Sequence, residues 1–310
     1  MPKTLKGDSQ MNMHSSFTAP ASLADHAVLA NLSIRQWTAR KFDARASQEV
    51  TAANNANIAA ARVNKRLLAK AALARVQSAV SSARQEHDTL TLPWGLRGVS
   101  ILAMPGFLAY RERMAKHQAE FESAVTELCS NYESLRDAAR SELGELFSAS
   151  DYPQSIRERF SFHVSFLPVP SANDFRVNLP DRDLGEIRSA IEQETREATN
   201  AAIRAIYDRA SDCLTTMADT LARYEPGVDG TRAKGSFHGT LVTNVRKLAE
   251  TLPLLNVFND PRIDTLAATM VKIADIEAKD LKDSDALRAD TEKQARAAVT
   301  EIAATVADFL

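Results

Sequence analysis

Apolar residues alternate with polar ones near the start of this chain and recur at helical spacing over most of the rest. From Ala27, the residues Val28, Ala30, Leu32 and Ile34 fall on one side of an extended backbone, and Asn31, Ser33, Arg35 and Trp37 on the other. That pattern predicts a strand with one buried and one polar face. The Ala-rich stretch from about Thr51 to Arg84 has apolar positions at Ile58, Val63, Leu67, Leu68, Leu73, Val76 and Val80. Its composition predicts a helix. Leu90 to Met104 reads as extended structure broken by Pro93, Gly95 and Gly98, and Pro105 suits the first turn of a long helix. Within that helix Phe121, Leu128 and Leu135 recur at seven residues, interleaved with Val125, Tyr132, Ala139 and Leu146. This is the spacing of a helix-helix seam, either an intramolecular hairpin or a dimer contact.

Asp151 and Pro153 mark a break, after which Phe160, Phe162, Val164 and Phe166 alternate with Ser161, His163 and Ser165 as a strand. Phe175, Val177 and Leu179 suggest a shorter strand nearby. From Asp183 a long helix buries a stripe running from Leu184 and Ile187 through Ala198 and Ala202 to Met217 and Leu221, and it ends before Pro226 and Gly227. Gly230, Arg232, Lys234 and Gly235 form a basic loop, with Ser236 as cap of the next helix. Further helices start near Arg262 and near Ser284 or Asp285, the last presenting Val299, Ile302, Val306 and Leu310 on one face. The fold class expected is mainly α with a small β-sheet (α+β). Its parts would be a flexible leader over 1–23, a basic module over 24–88 and a helical body over 89–310.

Charge changes this picture. The net charge of −2 hides 12 Lys and Arg against 5 Asp and Glu from Met1 to His87, with the opposite excess, 26 against 35, in the remainder. A basic module on an acidic body points to a polyanionic partner, because clustered cations release counterions from phosphates. Between Arg35 and Arg84 stand ten cations opposed only by Asp43 and Glu49. The candidate nucleic-acid-binding residues are Arg35, Trp37, Arg40, Lys41, Arg45, Arg62, Lys65, Arg66, Lys70 and Arg75, joined by Arg232 and Lys234 of the later loop. On a helix, Arg62, Lys65, Arg66 and Lys70 would form one stripe. Trp37 either stacks on bases beside Arg35 or lies buried under the Ala-rich helix.

Other chemistry finds little footing. The six histidines show no H-E-x-x-H spacing and the two cysteines, Cys129 and Cys213, no C-x-x-C, so no metal or other cofactor is expected. Gly230 to Ser236 has two glycines at phosphate-loop spacing but lacks the lysine that should follow the second. No nucleophile elbow occurs, and carboxylate pairs such as Glu142 and Glu145 suit a solvated helix face. The expectation is a binding protein and not an enzyme. No stretch is apolar enough for a membrane span and Met1 to Pro20 has no secretory h-region, so a cytoplasmic location is expected.

The run from Asn31 to Asp43, together with Ile156 to Phe162, resembles a widespread phage and prophage family of undescribed function. Within it, the chain is most similar to the single-stranded-DNA-binding RNA polymerase cofactors of podophages that carry a virion RNA polymerase. The similarity extends over roughly Ala27 to Tyr224. It implies a single-stranded DNA binder, unlike OB-fold proteins, that assists a phage RNA polymerase in the cytoplasm of an infected bacterial host. The heptad spacing adds the expectation of a homo-oligomer. The alternative from the same seam is a helical adaptor without nucleic-acid contact.

Overall fold

A computed structural model describes residues 22–171, 181–226, 235 and 238–307. Of the described residues 69% are helical, with a small antiparallel sheet, the mainly α class expected. In chain order the first elements are α1 (Leu23–His26), β1 (Ala27–Arg35), β2 (Arg40–Phe42), α2 (Ala44–Ala53), β3 (Asn64–Arg66) and α3 (Ala74–Leu90). Then come β4 (Leu92–Pro93), β5 (Ser100–Ala103), α4 (Phe107–Ser130), α5 (Tyr132–Leu143) and β6 (Ser161–Pro168). The rest is helical: α6 (Asp181–Arg223), α7 (Thr240–Leu255), α8 (Pro261–Ile273), α9 (Ala278–Asp283) and α10 (Asp285–Ala307). The 1–23 leader up to residue 21, the strand positions Phe175, Val177 and Leu179, the loop residues Gly230, Arg232 and Lys234, the cap Ser236, and Leu310 lie outside the described residues.

The sheet runs β4-β5-β1-β6, an open antiparallel order and not the five-stranded barrel of an OB-fold. β1 is its organising strand, pairing Ala27 with Ala103 on one side and Arg35 with Ser161 at the far end of the other. Its two halves differ. Ala27 and Leu29, on the side expected to be polar, are buried with Ile101, Leu92 and Trp94 against α6 and α7, whereas Ser33 and Arg35 further along that side are exposed. The opposite side packs Ala30 and Leu102 on Tyr110 and Met114 of α4. Because β1 is flanked by strands that follow residue 88, the basic segment 24–88 and the body share one sheet, and the boundary expected near Thr89 is only the end of α3.

The Ala-rich helix expected from Thr51 to Arg84 is not formed. Only Ala74–Leu90 is helical there, while α2 starts earlier and stops at Ala53. Asn54 closes α2 with its side chain on the Val50 carbonyl, and Asn55 takes a left-handed backbone with φ of 48°. Asn tolerates that conformation and competes with helix through its own side chain. Ile58 is left 62% exposed, and β3 is drawn into a two-stranded ribbon with β2. Helix propensity is worth only tenths of a kcal/mol per residue, about 0 to 0.7, so tertiary pairing overrides it.

The seam resolves in favour of an intramolecular contact. Phe121, Val125, Leu128, Tyr132 and Ala139 are buried with Val76 and Val80 of α3 and with Phe160. The expected single helix also divides, α4 ending at Ser130 and α5 starting at Tyr132. These residues form the chain's own second core, so they offer no face for self-association. His87 ties this region together, its ring nitrogens meeting Tyr110 Oη at 2.8 Å and Ser100 Oγ at 3.3 Å. A larger core lies among α6, α7, α8 and α10, where Leu214, Met217, Val245, Leu252, Met270 and Ala295 are fully buried. No helix among the described residues is long and apolar enough to cross a membrane.

Candidate nucleic-acid interface

The β2–β3 ribbon divides the central cations between two faces. Arg40 stands opposite Arg66, Lys41 opposite Lys65 and Phe42 opposite Asn64. The flanking bonds from Leu67 N to Ala39 O (2.7 Å) and from Asp43 N to Val63 O (3.0 Å) show which pairs exchange hydrogen bonds. By alternation, Lys41 and Lys65 form a hydrogen-bonded pair, and Arg40 and Arg66 a non-hydrogen-bonded one, the closer type at about 4.5 Å between Cα atoms. Side chains alternate along a strand, so the lysines share one face and the arginines the other.

The lysine face meets carboxylates, with Lys65 buried and Lys41 half-exposed. Lys65 Nζ lies 2.6 Å from Asp151 Oδ2 and 3.0 Å from Asp43 Oδ2, and it donates to the Leu146 carbonyl oxygen at 2.8 Å. Lys41 meets the other oxygen of Asp151 at 2.7 Å. The Lys65 side chain is only 8% exposed. Burial alone would lower its pKa, but the Asp151 and Asp43 carboxylates outweigh burial and hold the ammonium above its ordinary value. Asp43 is held below its ordinary value by the Ala46 amide that it caps, and then by Lys65. For Asp151, burial pushes upward, and Lys41 with Lys65 more than reverse it. Two cations and two carboxylates thus neutralise one another.

The arginine face is different. Arg40 and Arg66 are exposed, and among the described residues neither has an ion pair. Arg62 lies over the Phe42 ring, 4.6 Å from its centroid, and Phe42 itself is 42% exposed. Lys70, in the short 3-10 turn Lys70–Leu73, is exposed on the same segment. Like charges directly opposite across a ribbon repel, so Arg40 and Arg66 are held together by the fold and not by one another.

The remaining sequence candidates have structural partners. Arg35 donates to the Glu158 carbonyl oxygen at 2.6 Å, Arg45 pairs with Glu49 at 3.4 Å, and Arg75 pairs with Glu127 and donates to Ser123. Arg62, Lys65, Arg66 and Lys70 do not form the helical stripe expected of them, because the segment is a turn and a strand and Lys65 points inward. Trp37 follows the end of β1 and is half-buried edge-on to Tyr132, at 6.1 Å and 74°, against the core that includes Val76 and Val80 of α3.

Beside the ribbon lies a cleft of about 320 Å³ bordered by Trp37, Arg40 and Lys41 on one side and by Ser150, Pro153 and Arg159 on the other. Arg159 was missed from sequence because it stands in the acidic body, where a long-window charge count dilutes it. The signal was local: Arg157 and Arg159 form a one-turn 3-10 helix clamped between buried Ile156 and Phe160. A second groove, about 210 Å³ between α8 and α10, has Arg262 as its one cation, and that residue is paired with Asp260 at 2.7 Å. No family model matches this chain, and no curated protein or solved structure is detectably similar to it. The reading of the site rests on its chemistry alone. An exposed set of unpaired guanidinium groups around an available ring can neutralise phosphates and stack on bases.

Proposed function

We propose that this chain binds single-stranded DNA along the outer face of the β2–β3 ribbon. The observation that supports the reading is the contrast within the ribbon: Lys41 and Lys65 are neutralised by carboxylates of the same chain, while Arg40, Arg62 and Arg66 are not. Phosphates of an extended strand would complete that face, with Phe42 as a stacking surface. The resemblance of Asn31–Asp43, which forms the end of β1, Trp37 and β2, extends the proposal to assistance of a phage RNA polymerase on single-stranded promoter DNA. The adaptor alternative drew on the heptad seam, and that seam is now part of the core.

Fluorescence anisotropy with a labelled oligonucleotide, single-stranded and as a duplex in the same buffer, tests the binding. Tighter binding of the single strand is expected, with log affinity falling linearly against log salt. Equal affinity for the duplex, or a salt-independent affinity, would overturn the proposal. Transcription from a melted promoter by a cognate phage polymerase, with and without the protein, tests the cofactor role separately.

A further inference from the structure

We infer that the cleft beside the ribbon is a one-nucleotide pocket, taking a nucleoside monophosphate unit either free or as a single residue of a strand. The inference rests on the nucleic-acid reading for its biological setting, but its chemistry stands by itself.

Charge defines the first half of the ligand. Lys41 and Asp151 both border the cleft, yet they belong to the neutral group with Lys65 and Asp43. What remains is Arg40 from the ribbon and Arg159 from the one-turn helix, two arginines lining one cleft from different segments of the chain. Guanidinium groups recognise phosphate oxygens through paired N–H donors, so two of them suit one phosphate. The ring of Trp37 on the same wall as Arg40 supplies the second half, a surface for one base. At about 320 Å³ the cleft is at the low end of small-molecule sites, which span about 300 to 1,000 Å³, and is large enough for one nucleotide.

The walls are fixed before any ligand arrives. Tyr132 Oη donates to the Pro153 carbonyl oxygen at 3.0 Å while its ring holds Trp37, and Tyr152 Oη donates to the Leu67 carbonyl oxygen at 2.8 Å. Arg35 anchors the turn that bears Arg159 through the Glu158 carbonyl. A pre-organised pocket loses little conformational freedom on binding. A plain surface cluster of cations would show none of these ties.

Tryptophan fluorescence reads the pocket directly, since the chain has two tryptophans and Trp94 is buried in the other core at 3% exposure. Full-length protein is titrated with thymidine monophosphate, with thymidine and with inorganic phosphate. Saturable quenching by the monophosphate is expected, with half-saturation about tenfold higher for the nucleoside, which lacks the charged hydrogen-bond acceptor. Phosphate alone should compete without quenching. The Trp37→Phe variant should lose the signal, Arg159→Ala should raise half-saturation about tenfold, and Arg196→Ala, on α6 and outside the cleft, should leave it unchanged. A monophosphate response equal to that of thymidine, or one retained in Arg159→Ala, would overturn the assignment. An oligonucleotide arm separates the two proposals. If the oligonucleotide binds by anisotropy and neither ligand affects Trp37, the pocket fails and the ribbon reading survives. If the monophosphate quenches and the oligonucleotide does not bind, the pocket stands and the ribbon reading fails.

Discussion

On one face of the β2–β3 ribbon Lys41 and Lys65 meet carboxylates drawn from the 3-10 turn Ala149–Asp151 and from the cap of α2, whereas Arg40 and Arg66 on the other face meet none. The four residues differ by a single step along two strands, so strand alternation alone brings one pair to carboxylates of the same chain and leaves the other without them. Residue chemistry follows the same division. A compact ammonium with three rotatable donors can satisfy several oxygens in a buried site, and planar guanidinium groups suit phosphates at an exposed one. The C-terminal body shows a third pattern. Arg196, Arg223 and Arg296 pair with acids one turn away on their own helices, and Arg296 also reaches Asp219 of α6.

Removing the inner tie should have the largest effect. Lys65→Met leaves Asp43 without its ionic partner and Asp151 with only Lys41, and breaking a buried pair from one side costs about 3 to 5 kcal/mol. Urea denaturation should show a lower midpoint at an unchanged slope. The double variant Lys65→Met with Asp151→Leu should recover much of that loss, since replacing both partners by apolar groups avoids a stranded charge. A single variant as stable as the parent would mean that the ribbon is held by its backbone bonds alone. The pH profile sharpens the point. Asp43 and Asp151 are depressed, so their contribution is present above about pH 4, the ordinary carboxylate range, and is lost as pH falls through their lower folded values. Lys65 is raised, so its contribution is complete below about pH 10.4 and is lost as pH rises through its higher folded value. The parent should therefore lose stability below pH 4 more steeply than Lys65→Met does.

The outer face should behave in the opposite way. Replacing Arg40, Arg62, Arg66 and Lys70 with Ala removes exposed cations that have no acidic partner among the described residues, so the melting temperature should fall by no more than loss of the Arg62–Phe42 contact accounts for, while binding weakens for all sequences. At roughly 0.7 per phosphate contact on a single strand, the log-log salt slope should become shallower by about 2 to 3 units. A parent-like slope with parent-like affinity would show that the face is only solvated. A large drop in melting temperature would show that the arginines serve the fold after all.

How much of this was legible in the sequence depends on the range of the interaction involved. β1 and β6 were readable because alternation is a local property, and α4, α6, α8 and α10 because their apolar stripes are. The Ala-rich segment failed for the same reason: composition favoured helix, but Asn54 and Asn55 end it locally and the Lys65 contacts with Asp43 and Asp151 select a strand from a distance. The excess of cations over 24–88 was plain, while their division between two faces depends on the register of Arg40 with Arg66, which no local pattern carries. Arg159 joins the site only because Arg35 and β6 bring its turn next to the ribbon.

The smallest expected effect tests whether Arg62 and Phe42 act as one surface. With the guanidinium 4.6 Å from the ring centroid at an exposed position, the contact is worth about 0.5 to 1 kcal/mol to the ribbon. Arg62→Lys keeps the charge and gives up the flat, weakly hydrated group that lies best on a ring. Stability should therefore fall by no more than about that amount, and the salt slope should stay within error of the parent because the number of phosphate contacts is unchanged. Phe42→Ala separates the components further. It should lower single-strand affinity by about 1 to 3 kcal/mol if a base stacks there, again with little change in slope. If Phe42→Ala instead leaves affinity intact while Arg62→Ala makes the slope shallower, the ring serves only to hold the arginine in place, and the outer face reads phosphates without touching a base.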